Sequence, residues 1–241
     1  EAVTRLAIKG RRPGQAINTR ALKDKIYGSA ISSGIDPAEL TKSLMSYVGK
    51  TGDMGSAVKM TDTFAKYISL GTSGKDIGES AAFLGMKMKI GSGGMDQALS
   101  TLAVGGKRNQ FELPDFAKQM PKMTSAMKRF NFENTGFKAV AQLGGWAQMA
   151  AKGTSGGAQA GTAFENILAD LLGGAGKIGA ADQLGVAMKG KNGKMRNFED
   201  IILDILTATG GEVVGSGSKK GKDFKMGLTD IFKRRSIRGM S

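Results

Sequence analysis

The chain contains no cysteine and no histidine. Those two absences remove disulfides, thiolate chemistry, histidine-ligated zinc and every Ser-His or Cys-His nucleophile from what its own residues could do. Proline occurs only 4 times, aromatic residues make up 6% of the chain, and tryptophan occurs once. With so little proline, the 37 glycines read as punctuation between helices rather than as the turns of a sandwich. Few rings and much Gly and Ala favour slim, closely spaced helices over a deep core. No convincing run of alternating β-branched residues marks a strand, and no residue pattern recurs at constant spacing, so neither a sheet nor a solenoid is expected. Zero cysteine suits a cytoplasmic protein and a particle later exposed to oxidising conditions equally well.

What is present is 241 residues, 40% of them apolar, enough for one large or two modest domains. The chain begins at Glu1 without Met, signal peptide or transit sequence, which suggests a piece, or the ordered part, of a longer polypeptide. Net charge is +14 and the excess gathers at the ends. Arg5, Lys9, Arg11, Arg12, Arg20, Lys23 and Lys25 face only Glu1 and Asp24 in the first 25 residues, and residues 219–241 hold eight cations against Asp223 and Asp230. Such a balance implies an acidic partner (nucleic acid, an anionic membrane or an acidic protein surface), or a solvated face that aids solubility.

The rest reads as helices. Residues 1–15 are expected to form an irregular basic arm broken by Gly10, Pro13 and Gly14, followed by a helix over 16–32. Asp36-Pro37-Ala38-Glu39 is a strong helix start, with an N-cap Asp, Pro at the first position and Glu three residues after the cap. Leu40, Leu44, Met45 and Val48 form its stripe and Gly49 is expected to stop it. Further helices are expected over 55–70 (Val58, Met60, Phe64, Ile68), 74–90 behind a Thr72-Ser73 cap, from Gly93-Gly94 to Gly105-Gly106, and from Leu113, with Pro121 breaking or kinking that last one. Segments 135–152, 155–173 and 197–208 complete the set, with a hairpin-like turn at Lys191-Asn192-Gly193-Lys194. Such short helices need packing, against one another or against a partner. From Ala139 to Phe164 the only charge is Lys152. The span is long enough to cross a bilayer but too weakly apolar to insert readily, so its small residues point to close helix approach. The following stripe of Ala158, Ala163, Phe164, Ile167, Leu168, Leu171 and Leu172 suits either a core or an oligomer interface.

The chemical motifs fail on spacing. Gly49-Lys50-Thr51 ends like a phosphate-binding loop, but Leu44 stands where the first glycine belongs and a helix precedes it rather than a strand. Gly215–Lys222 fails likewise and suits a flexible basic linker. The carboxylate pairs Asp36/Glu39, Glu112/Asp115 and Glu199/Asp200 all fall at helix starts, where they satisfy free amides and the helix dipole. Met45, Met60, Met88 and Met123 have the spacing of adaptable packing. Basic clusters without interleaved aromatics support non-specific phosphate attraction but no sequence readout.

The end of the chain carries the most specific pattern. Leu228, Ile231 and Phe232 form an apolar stripe that runs into Lys233, Arg234, Arg235 and Arg238, with Gly239 as a stop. The wording "LTDIFKRRSIRGM" resembles the end of the core region of bacteriophage tail tape measure proteins. So, in order, do "GIDPAEL" at 34–40, "GKTGDMGSAVKM" at 49–60, "SGKDIGESAAFL" at 73–84, "MDQALSTLAVGGKRNQFELPDFAKQMPKM" at 95–123, "GTSGGAQAGTAFENILADL" at 153–171 and "KNGKMRNFEDIILDIL" at 191–206. The resemblance implies a mostly helical protein held in the lumen of a phage tail or tail-like particle. There its length sets tube length in assembly, it leaves around genome ejection, and a few parallel copies (a trimer) meet the tail tip or baseplate hub. It implies synthesis in the host cytoplasm, no catalytic residue and no cofactor.

The expectation is therefore an all-α fold of short, glycine-punctuated helices, elongated or bundled with other copies. It divides into 1–33 (basic arm and first helix), 34–210 (helical core), 211–222 (Gly/Ser/Lys linker) and 223–241 (basic terminal helix). Ala158, Ala163, Phe164, Ile167, Leu168 and Leu171 are the candidates for contact between copies. Lys233, Arg234, Arg235 and Arg238 are those for a basic contact with tube wall, hub or DNA. The alternative is a helical module that acts on a host membrane or associates with DNA through 139–172 to assist genome entry.

Overall fold

The computed structural model describes residues 1–11, 16–108, 112–127, 135–152, 157–173 and 179–209. These residues form an all-α protein with no strand among them. The helices are α1 (Ala2–Lys9), α2 (Thr19–Ser32), α3 (Pro37–Thr51), α4 (Met54–Lys59), α5 (Thr61–Ser69), α6 (Gly74–Lys87), α7 (Met95–Arg108), α8 (Leu113–Met127), α9 (Gly136–Lys152), α10 (Gly157–Leu172), α11 (Ala180–Gln183) and α12 (Phe198–Ala208). They fall into two compact units. The first holds α1 to α6, α7 as far as Lys107, and the starts of α8 (to Lys118) and α9 (to Gln142). The second holds the remainder of α8 and α9 with α10, α11 and α12.

The first unit is built on α3 and α6. Each begins as its sequence requires: Asp36 accepts from the Ala38 amide at 2.8 Å, and Ser73 from the Asp76 amide at 3.2 Å. α3 packs on α6, and Leu40 and Leu44 on the first and Ile77, Ala81 and Leu84 on the second are all fully buried. Two glycines one turn apart set how near the helices come. A Cβ on Gly74 would lie 2.1 Å from the Glu39 carbonyl oxygen, and one on Gly78 would lie 2.2 Å from that of Ser43. The backbones touch where side chains would otherwise stand, as in small-residue helix pairs elsewhere. Phe64, Tyr67, Met60 and Met88 close the core around this pair.

Four local expectations are corrected. The first residues are not an irregular arm, because Ala2–Lys9 is helical and Leu6 and Ala7 are buried. Val3, Leu6 and Ala7 specify a short amphipathic helix that Gly10 caps, and residues 12–15 of the expected arm lie outside the described residues. Gly49 does not stop α3: the helix runs to Thr51, and Gly52, at φ +67°, supplies the left-handed cap. The segment 55–70 is two helices, broken at Met60. There the Thr61 hydroxyl donates to the Val58 carbonyl at 2.9 Å and competes for an acceptor in α4's last turn. Of the two outcomes expected at Pro121, the break does not occur: α8 continues to Met127, with Phe116 and Met120 before the proline and Met123 after it buried, so packing outweighs the lost backbone bond.

In the second unit Trp146, Phe164 and Phe198 form one aromatic cluster. Trp146 stacks on Phe164 at 6.0 Å, and Phe198 meets both edge-on, at 4.8 and 5.4 Å. The hairpin-like turn before α12 is present: Lys189 and Met195 form an antiparallel bridge, and Gly193 holds the tip at φ +75°.

Candidate interaction surfaces

The apolar stripe of α10 is spent inside the chain. Ala163, Phe164, Ile167, Leu168 and Leu171 are each at most 4% exposed in a single copy. Their place in this fold is the core of the second unit, the other reading that their spacing allowed. The side chain of Ala158 lies outside the described residues, as do Lys233, Arg234, Arg235 and Arg238 with the whole of 210–241. The structure thus brings five of the ten candidates together, in a core, and describes no side chain of the others.

The carboxylates sit at helix starts, with one rearrangement. Glu39 does not reach back to the start of its own helix. It accepts from the Gly74 amide at 2.8 Å, so α3 caps the start of α6. That bond, helped by Lys42, holds the Glu39 carboxyl below the ordinary 4.5 against the opposing effect of burial. Asp115 accepts from the Glu112 amide at 3.4 Å, at the start of α8. Asp200 is exposed, and the Glu199 side chain lies outside the described residues. Asp62 accepts from Lys25 and Ser29, each at 2.5 Å, and is likewise held below its ordinary 3.8, first by Lys25. A general acid needs the opposite shift.

Gly49, Lys50 and Thr51 are the last turn of α3, and Lys50 lies 3.8 Å from Glu79, so that motif is helical rather than a phosphate loop. A small pocket of about 160 Å³ lies between Tyr67, Leu70, Ala103, Glu112, Leu113 and Pro114, below the usual size of a ligand site. Among the described residues no three acidic groups come together to hold a metal ion. No described helix is long and apolar enough to cross a membrane.

Exposed apolar side chains remain on several helices, Met86 on α6, Val104 on α7 and Phe137 on α9 among them. Tyr27 and Ile31 share a face of α2, Leu203 and Leu206 project from α12, and Ile8 projects from α1. A helical array whose carboxylates cap helix starts or pair with cations is the setting in which the family assignment is made. The family of phage-related minor tail proteins matches residues 23–213. The chain belongs to that family. The match runs from within α2 to beyond α12, so it takes in helices of both compact units of this phage tail protein. No curated protein and no solved structure matches it.

Two features of this tail protein escaped the sequence reading. The Gly74–Gly78 contact was signalled by two glycines four apart on a helix that also carries Ala81, Ala82 and Gly85. The outward leucines of α12 were signalled by Ile201, Ile202, Leu203, Ile205 and Leu206, too many apolar positions for one stripe.

Proposed function

We propose that this chain is a segment of a tail tape measure protein: a non-enzymatic helical element that lies in the tail tube lumen or at the tip or hub, sets tube length during assembly and is released at genome ejection. The observation that carries the reading is the family match across 23–213, joined to the ordered series of tape-measure-like segments that ends at Met240. The placement of carboxylates at helix starts, and the lowered pKa values of Glu39 and Asp62, support a structural role over a catalytic one. Contacts with other copies, a trimer in this reading, use surface left exposed by one chain, since the α10 stripe lies in its own core. The cations of the last segment, Lys233, Arg234, Arg235 and Arg238, meet tube, hub or passing DNA.

Particles assembled without this gene test the reading. They are expected to lack tails or to carry tails of uncontrolled length, while wild-type tails contain the chain and shield it from added protease until ejection. Tails of normal, uniform length in its absence, or a chain open to protease on intact particles, would count against it.

A further inference from the structure

α12 is apolar on two sides. Phe198, Ile201 and Ile205 are at most 6% exposed, yet Leu203 is 60% and Leu206 37% exposed, with Ile202 half-buried beside them. The exposed side is also acidic. Asp200 and Asp204 are both exposed, and the helix carries Glu199, Asp200 and Asp204 with no cation of its own. Arg196 engages one oxygen of Asp204 at 2.7 Å, and that side chain is still 49% exposed. A face of this kind fits a basic amphipathic helix: leucines for its apolar stripe, carboxylates for its cations.

We propose that this face docks the basic segment 223–240 of the same chain. The match is one of pattern, charge and reach. Phe224, Leu228, Ile231 and Phe232 recur at the spacing of one helical face, and the segment holds Lys225, Lys233, Arg234, Arg235 and Arg238 against Asp223 and Asp230. Residues 210–222 join it to α12. A Gly/Ser-rich tether of that length reaches about 20 Å on average, and α12 is about 16 Å long, so the segment can fold back along the helix it follows. A tether this short also raises the local concentration of the segment to the millimolar range, so a small apolar contact suffices. Docking leaves part of the basic side outward, poised for exchange onto another acidic surface.

The absence of native cysteine makes the test clean. Full-length Leu206→Cys/Ile231→Cys, oxidised at low concentration, is expected to close an internal disulfide about tenfold faster than Leu206→Cys/Asp230→Cys, whose second thiol falls on the opposite side of the segment. Equal rates would mean a loose tether and would overturn the proposal. A covalent dimer whose yield rises with concentration would also overturn it, by placing a second copy on the face. Trypsin offers a second readout: Lys233–Arg238 should be cut more slowly than Lys219–Lys222 in the wild type. That protection should vanish in Leu203→Lys/Leu206→Lys, two exposed changes that leave the tyrosine and tryptophan signals of the fold unaltered. Persistent protection in that variant, or none in the wild type, would refute docking.

Discussion

Replacing Gly78 by Ala sets two known effects against each other. Alanine is the better helix former, by about 0.5–1 kcal/mol, because it loses less backbone entropy. At this position its methyl would stand 2.2 Å from the Ser43 carbonyl oxygen and 2.9 Å from Ser46 Cβ, where an ordinary contact begins at 3.4 Å. The nearer neighbour is backbone and cannot swing away. α6 must therefore withdraw from α3 by about 1.2 Å along that contact. The gap runs down a seam lined by Leu40, Leu44, Ile77, Ala81 and Leu84, all fully buried. Overpacking of this kind costs about 1–3 kcal/mol, and a gap near 1 Å forfeits roughly a quarter to a half of each facing dispersion contact. The net expectation is a loss of about 2 kcal/mol, read as a fall of roughly 10 °C in Tm for a unit of this size. The chain supplies its own probes. All 3 tyrosines lie in the first unit and the only tryptophan in the second. Tyrosine near-UV circular dichroism should therefore move to lower urea for Gly78→Ala, whereas Gly28→Ala, with open space at its Cβ, should move it slightly higher. If Gly78→Ala were as stable as the parent, the close approach of α3 and α6 would be wrong.

Other outcomes follow from the same structure. Phe198→Ala removes the ring that meets both Trp146 and Phe164, and should cost about 3–5 kcal/mol, with a shift in Trp146 emission. Asp62 is held below 3.8 by Lys25 and Ser29, so its contribution is whole above that value and is lost as pH falls through the lower folded one. Asp62→Asn should cost less than about 1 kcal/mol at neutral pH, given the exposure of the pair, and should flatten the acid limb of a stability profile. Burial raises Tyr47 and Tyr67 above 10.0, so their contribution is whole below pH 10 and is lost as pH rises through the higher folded values. In a Tyr27→Phe background, which removes the exposed ring, tyrosinate absorbance from Tyr47 and Tyr67 should then appear together with unfolding of the first unit rather than before it.

The starts of α3 and α6 were legible because Asp36, Pro37 and Ser73 act within three residues of themselves, and so were the stripes Leu40–Leu44 and Ile77–Ala81–Leu84. The breaks were not. Gly49 and Gly52 look alike until the left-handed φ of Gly52 is known, and the end of α4 depends on a hydroxyl, Thr61, that mimics a backbone donor. α1 was hidden because eight residues hold too few apolar positions to outweigh the breakers beyond them. The stripe of α10 has one pattern for two destinations. What decides between them is Trp146, 18 residues earlier, and Phe198, 34 residues later, and neither distance is written in local spacing. Membership of a phage tail family, in contrast, lay in the order of many weak segments, which is why that much could be read from the sequence before any contact was known.

Tail length is the most direct test of the structural role. In-frame shortening or lengthening of the helical region of the gene for this protein, followed by electron microscopy of the particles, should change the tube by up to about 1.5 Å per residue, the rise of an α-helix. A tube whose length stayed constant across such a series would contradict the tape measure reading.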